Sequence, residues 1–147
     1  MAPADVYRVF VSKDYMKFNA AHFIAFKGFR ERLHGHNYRM SVTITGDRIG
    51  HDGYLVDFGD IKKVAREVCR ELNEHFLVPL KSDVLKIDVN AETVQLVTED
   101  GKSFSFPRGD CALLPIVHSS AEELARYLVE TKANMIARCW DSWYIFL

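Results

Sequence analysis

The sequence predicts an α+β fold, a sheet carrying helices on one of its faces. Three observations point there. Residues 34–45 alternate strictly: His34, His36, Tyr38, Met40, Val42 and Ile44 fall on one side, and Asn37, Arg39, Ser41, Thr43 and Thr45 on the other. That period of two is the mark of a half-buried strand. Residues 60–75 switch to helical spacing, with Ile61, Val64, Ala65, Val68 and Leu72 in one apolar stripe. A second stripe, Ala121, Leu124, Ala125, Leu128 and Val129, follows Ser119 and Ser120. Either serine caps a helix there, with Glu122 or Glu123 three residues on as in a capping box.

The remaining elements follow in order. Residues 6–11 and 15–22 read as two strands, and in the second Met16, Phe18, Ala20 and His22 share a face. Residues 23–32 mix aromatic and basic side chains around Gly28 and read as a loop. Gly46-Asp47, Gly50 and Asp52-Gly53 make residues 46–53 turn-rich. Short strands are predicted at 84–87, 93–97 and 104–106, with Asp100-Gly101 as a two-residue hairpin turn. Residues 139–147 are strongly aromatic and read as a final strand.

With 147 residues, no internal repeat and no linker rich in Gly, Pro or Ser, one domain spanning 1–147 is expected. Lys and Arg number 19 against 20 Asp and Glu, a net charge of -1. This balance argues against a basic nucleic-acid face and against binding to an anionic membrane. A hydrophobic fraction of 48% and a charged fraction of 27% fit a folded globular chain. Cys69, Cys111 and Cys139 are odd in number and far apart, which argues against a disulfide framework and for a reducing compartment. The first residues show no basic region followed by an apolar run, so a cytosolic location is expected.

Three histidines carry the chemistry. His34 and His36 are two apart on one strand face, and His22 ends the preceding strand on its apolar face. Three imidazoles converging from neighbouring strands leave a fourth coordination position open, the arrangement of a catalytic zinc site. The alternative is ordinary core histidines satisfied by backbone partners; a ring on such a face needs a partner for its second nitrogen, and a metal is one.

Phe18-Asn19-Ala20-Ala21-His22 and Leu33-His34-Gly35-His36-Asn37-Tyr38 resemble the zinc motif of the 6-pyruvoyltetrahydropterin synthase family, which includes the 6-carboxytetrahydropterin synthases. Gly53-Tyr54-Leu55-Val56-Asp57-Phe58 and Ser119-Ser120-Ala121-Glu122-Glu123-Leu124-Ala125 extend the likeness in the right order, over roughly residues 6 to 130. The resemblance implies a T-fold: a four-stranded antiparallel sheet with two helices on one face, assembled as a homohexamer of two trimers with pterin sites between subunits. It implies Zn2+ on His22, His34 and His36, and 7,8-dihydroneopterin triphosphate as substrate. Ser120 and Glu122 become pterin contacts by position.

The sequence also departs from the family pattern. A Cys base is expected shortly before His-Gly-His, but the stretch reads Gly28-Phe29-Arg30-Glu31-Arg32-Leu33. This resembles the branch in which Glu replaces Cys and the side chain is cleaved to 6-hydroxymethyl-7,8-dihydropterin, with Glu31 as the base. The family's Leu-Asp-His becomes Leu72-Asn73-Glu74-His75, so Glu74 and His75 are either a rearranged acid–base pair or a capped helix end. The aromatic tail lacks the family's pterin-anchoring Glu, and the last strand is expected to be shortened or atypical. Two readings therefore stand: a zinc-dependent lyase or side-chain-cleaving enzyme, and a catalytically impaired zinc-bound member that binds pterin or serves assembly.

Overall fold

The computed structural model describes residues 5–132, 135 and 142–147. The two strands expected at the start are one, β1 (Tyr7–His22). Its pairing with β4 (His34–Gly46) shifts register between Ser12 and Lys17. The exposed residues 12–15 bulge out there, which is why the alternation breaks in sequence while the strand continues. Beyond the bulge the ladder brings Ala20 opposite His36 and His22 opposite His34.

The sheet has five strands in the order β10-β4-β1-β5-β9. The strands β10 (Ser142–Phe146) and β1 flank β4 and run antiparallel to it. By contrast β5 (His75–Pro79) runs parallel to β1, and β9 (Cys111–Leu114) parallel to β5. The sheet is thus mixed where four antiparallel strands were expected. The reason is the crossover: the chain leaves β4, passes through α1 (Phe58–Leu72) and returns beside β1 in the same sense.

Asp57 caps α1, its side chain accepting from the Gly59 N–H at 2.7 Å. The helix ends at Leu72, three residues before the sequence periodicity suggests. There β1 captures the exit: Asn19 N–H donates to Asn73 Oδ1 at 2.9 Å, and Glu74 N–H donates to Asn19 O at 2.6 Å. Glu74 turns the chain with a left-handed φ of 59°, and His75 begins β5 instead of closing the helix. Ser120 caps α2 (Ala121–Lys132), accepting from Glu123 N–H at 3.2 Å. Leu124 and Leu128 of α2 are buried, whereas Ala121 of the expected stripe is exposed.

Both helices pack on one face. Ile61, Val68 and Leu72 of α1 and Leu124 and Leu128 of α2 share a core with Met16 and Phe18 of β1 and Met40, Val42 and Ile44 of β4. A second core lies under a three-stranded antiparallel sheet of β6 (Lys86–Val89), β7 (Thr93–Val97) and β8 (Ser103–Pro107). The expected loop 23–32 contains a small hairpin, β2 (Ala25–Phe26) and β3 (Phe29–Arg30), turning on Gly28 at φ 81°. The final strand forms as expected; Cys139 lies outside the described residues. Cys69 and Cys111 are free and buried, consistent with packing. Among the described residues no helix is long and apolar enough to cross a membrane.

Candidate metal centre

His22, His34 and His36 meet at one end of the β1–β4 hairpin. One ring nitrogen from each lies within 4.8 Å of the others. His22 is 4% exposed, and its Nδ1 lies 2.8 Å from Ser119 O and 3.2 Å from Ser119 Oγ. Ser119 is itself fully buried, its hydroxyl donating to Phe23 O at 3.3 Å. A carbonyl accepts only, so Nδ1 carries the proton and Nε2 keeps its lone pair. That Nε2 is the one buried side-chain polar atom without a hydrogen-bond partner among the described residues.

His34 repeats the pattern. His34 Nδ1 lies 2.7 Å from Arg32 O, which makes its Nε2 the acceptor, and that Nε2 stands 3.1 Å from His36 Nε2. Burial lowers the His22 pKa, the Ser119 hydrogen bond opposes the shift, and the charges of His34 and His36 add to the lowering. A neutral, correctly tautomerised imidazole with a buried orphan lone pair is what a metal ligand requires. The three rings can hold a metal ion, and an all-imidazole donor set suits zinc among other transition metals.

Glu31 shares this space. A cavity of about 590 Å³ is lined by the three histidines, Glu31, Ser120 and Glu122, among others. Glu31 Oε2 accepts from Ile24 N–H at 2.9 Å, and Glu31 N–H donates to Ile24 O at 2.9 Å. This two-way clamp sets the carboxylate at the mouth of the β2–β3 hairpin. Burial raises the Tyr38 pKa, and the negative charge of Glu31 raises it further.

Glu74 and His75 are not brought to that group. They line a separate cavity of about 520 Å³ with Asn19, Asn37 and Asp110, which touches the first only through His36 and Asn37. His75 Nδ1 lies 2.6 Å from Asn73 O. Within one chain the two residues therefore line a different cavity from Glu31.

Two contributors lacked a sequence signature of their role. Ser119, expected as a helix cap, instead fixes the tautomer of His22. Glu123 holds the turn that presents Ser119: its Oε2 accepts from the N–H groups of Val117 at 2.9 Å and His118 at 3.2 Å, and its Oε1 from His118 Nδ1 at 2.9 Å. Burial pushes the Glu123 pKa up, but these hydrogen bonds outweigh it, so the carboxyl sits below its ordinary value of 4.5. A depressed carboxyl stabilises the fold above the unfolded pKa and loses that contribution as pH falls through the folded pKa. Glu123→Gln is therefore expected to flatten the acid limb of a stability–pH curve below about pH 4.5. Thermal unfolding across pH 3 to 7 (roughly the carboxylate range) checks this; parallel acid limbs for both proteins would refute it.

Comparison with known proteins places these features. The family model described as 6-pyruvoyl tetrahydropterin synthase matches residues 11–141. A provisionally named 6-carboxy-5,6,7,8-tetrahydropterin synthase of Methanocaldococcus jannaschii is 31% identical over 121 residues, 82% of this chain and 74% of its own length. The crystal structure of 6-pyruvoyl tetrahydropterin synthase from Plasmodium vivax has a TM-score of 0.84 and 43% identity, covering 90% of this chain and 81% of that one. A variant of the same Plasmodium vivax protein, with alanine replacing a catalytic glutamate, matches at 42% identity, a TM-score of 0.84 and the same coverage.

Proposed function

Because the chain belongs to the 6-pyruvoyl tetrahydropterin synthase family, we propose that it is a zinc-dependent pterin synthase acting on 7,8-dihydroneopterin triphosphate. The reaction is triphosphate elimination or side-chain cleavage to 6-hydroxymethyl-7,8-dihydropterin. One observation carries the reading: three imidazoles, one with an orphan buried Nε2, share a cavity with a clamped carboxylate. The T-fold of the family, with its paired helices on one sheet face, supplies the frame.

His22, His34 and His36 would hold a zinc ion, which when bound would supply Lewis acidity toward side-chain oxygens of the substrate and so acidify the adjacent carbon. Glu31 takes the proton from that carbon. The Ile24 N–H fixes one carboxylate oxygen, so the base approaches in a single orientation. The catalytic glutamate of the Plasmodium vivax relative supports this role for Glu31. Ser120 and Glu122, which line the same cavity, are the pterin contacts in this reading.

Glu74 and His75 enter through assembly. In a hexamer of two trimers, with sites between subunits, the cavity that carries them on one copy completes the histidine cavity of another. The reaction redistributes hydrogens within the substrate and needs no nicotinamide, and the cytosolic location expected from the sequence belongs to this reading.

Metal analysis of the purified protein, combined with product analysis after adding 7,8-dihydroneopterin triphosphate, tests the proposal. About one zinc per chain with a 6-pyruvoyl or 6-hydroxymethyl product is expected. Zinc without turnover would leave a pterin-binding or assembly subunit. Absence of zinc would overturn the three-histidine site.

A further inference from the structure

The hairpin before Glu31 has too little structure to hold itself. Its strands pair Ala25 with Arg30 and Phe26 with Phe29, with the Ile24–Glu31 clamp one step beyond, and a two-stranded ribbon is at best marginal in water. At its tip Phe26 and Phe29 stack on each other but remain 48% and 49% exposed. Phe23 and Ala25 anchor the first strand in the second core, but the tip and the second strand, which leads to the carboxylate, need contacts from outside the hairpin.

The β7–β8 turn supplies them from 70 residues away. Arg30 Nη2 lies 3.2 Å from Asp100 Oδ2 and Arg30 Nε lies 3.4 Å from Asp100 Oδ1, a forked pair. The guanidinium sits 5.9 Å from the Phe23 ring centre and 5.7 Å from that of Phe104, within cation–π range. Gly28 N–H donates to Glu99 Oε2 at 3.0 Å, and the Thr98 hydroxyl donates to Asp100. The third nitrogen of the fork, Arg30 Nη1, donates to the backbone oxygen of Glu31 at 3.0 Å. A continuous chain of contacts therefore runs from Asp100 through Arg30 to the Glu31 backbone, and from the Glu31 carboxylate to Ile24 N–H.

We propose that Arg30 and Asp100 are positioning residues for Glu31, forming a clasp between the β7–β8 turn and the β2–β3 hairpin that sets the approach of its carboxylate to the histidine cavity. The inference rests on the reading of Glu31 as the base. Arg30 suits the task where Lys would not, because a planar fork engages both a carboxylate and a carbonyl while an ammonium is a point charge. Neither residue lines the histidine cavity.

Asp100→Asn and Arg30→Lys test the clasp in the zinc-loaded protein with 7,8-dihydroneopterin triphosphate. Displacing a base by about an ångström costs up to about a hundredfold. Each variant is expected to lose about tenfold or more in kcat, with KM and zinc content unchanged. The Ile24 amide resonance, which reports its bond to Glu31, should shift in both. Asp100→Glu should recover part of the loss. In a Glu31→Gln background the clasp variants should add nothing, since the group they position is gone. A purely structural clasp would lower the melting temperature and leave kcat, the Ile24 resonance and the Glu31→Gln comparison unmoved. Loss of turnover in Glu31→Gln with unaltered kcat in both clasp variants would overturn the clasp alone. Full turnover in Glu31→Gln would overturn the base itself, and this proposal with it.

Discussion

Under the proposed reaction, Glu31→Gln is expected to lower turnover of 7,8-dihydroneopterin triphosphate by about 10²–10⁴-fold, the usual contribution of a positioned general base. Glutamine has the shape of glutamate, and its side-chain oxygen can still accept from Ile24 N–H. The clamp, the hairpin and the cavity therefore survive while the proton acceptor is lost. Zinc content should match the unaltered protein, because the ring hydrogen bonds run to Ser119, to Arg32 and between His34 and His36, not to the Glu31 carboxylate. Glu31→Ala is the less informative change, since it also breaks the clamp and leaves Ile24 N–H without its acceptor. Rates under saturating substrate, measured alongside metal content, decide the matter. Turnover within a few fold of the unaltered protein would remove Glu31 from the mechanism.

The elements legible in sequence are those with one wet face. β4 shows its alternation because Met40, Val42 and Ile44 are buried while Arg39 is exposed and Thr43 only partly covered. The stripe of α1 is legible for the same reason. The parallel strands were not: Phe76, Leu77, Val78 and Pro79 of β5 are all buried, so no period of two survives, and β9 is only four residues long. The expectation of four antiparallel strands comes from the resemblance, and no pattern in these two segments corrects it. The site divides along similar lines. Strand parity projects His22, His34 and His36 to one point, and the β1–β4 register confirms that they meet. Glu31 is reached through resemblance alone, because its hairpin depends on partners about 70 residues away. The part played by Ser119 is carried largely by a backbone carbonyl, which no side-chain pattern announces. The sequence spacing puts His75 on a helix end, but the capture of Glu74 by Asn19 moves it onto a strand lining another cavity.

The three histidines should not respond alike to substitution. His22→Ala, His34→Ala and His36→Ala are each expected to abolish stoichiometric zinc, because two imidazoles no longer close a three-nitrogen site. Without metal their effects separate. His34 and His36 stand on the exposed end of β4, and surface substitutions of that kind usually fall within about 0.5 kcal/mol. His22 is buried, and removing its ring takes away the donor to Ser119 O and opens space in the core. An unsatisfied buried carbonyl alone costs about 1–3 kcal/mol. Thermal unfolding in the presence of a chelator should therefore show His22→Ala clearly less stable than the other two. If the proposed site binds zinc, excess metal should change the order: the unaltered protein should gain stability as the metal binds its folded state, and all three variants should lose that gain. Elemental analysis and melting curves with and without zinc measure both effects. A His22→Ala protein that keeps about one zinc per chain would show that the orphan Nε2 is not a ligand. Equal chelated melting temperatures for all three variants would show that the Ser119 contact contributes nothing to the fold.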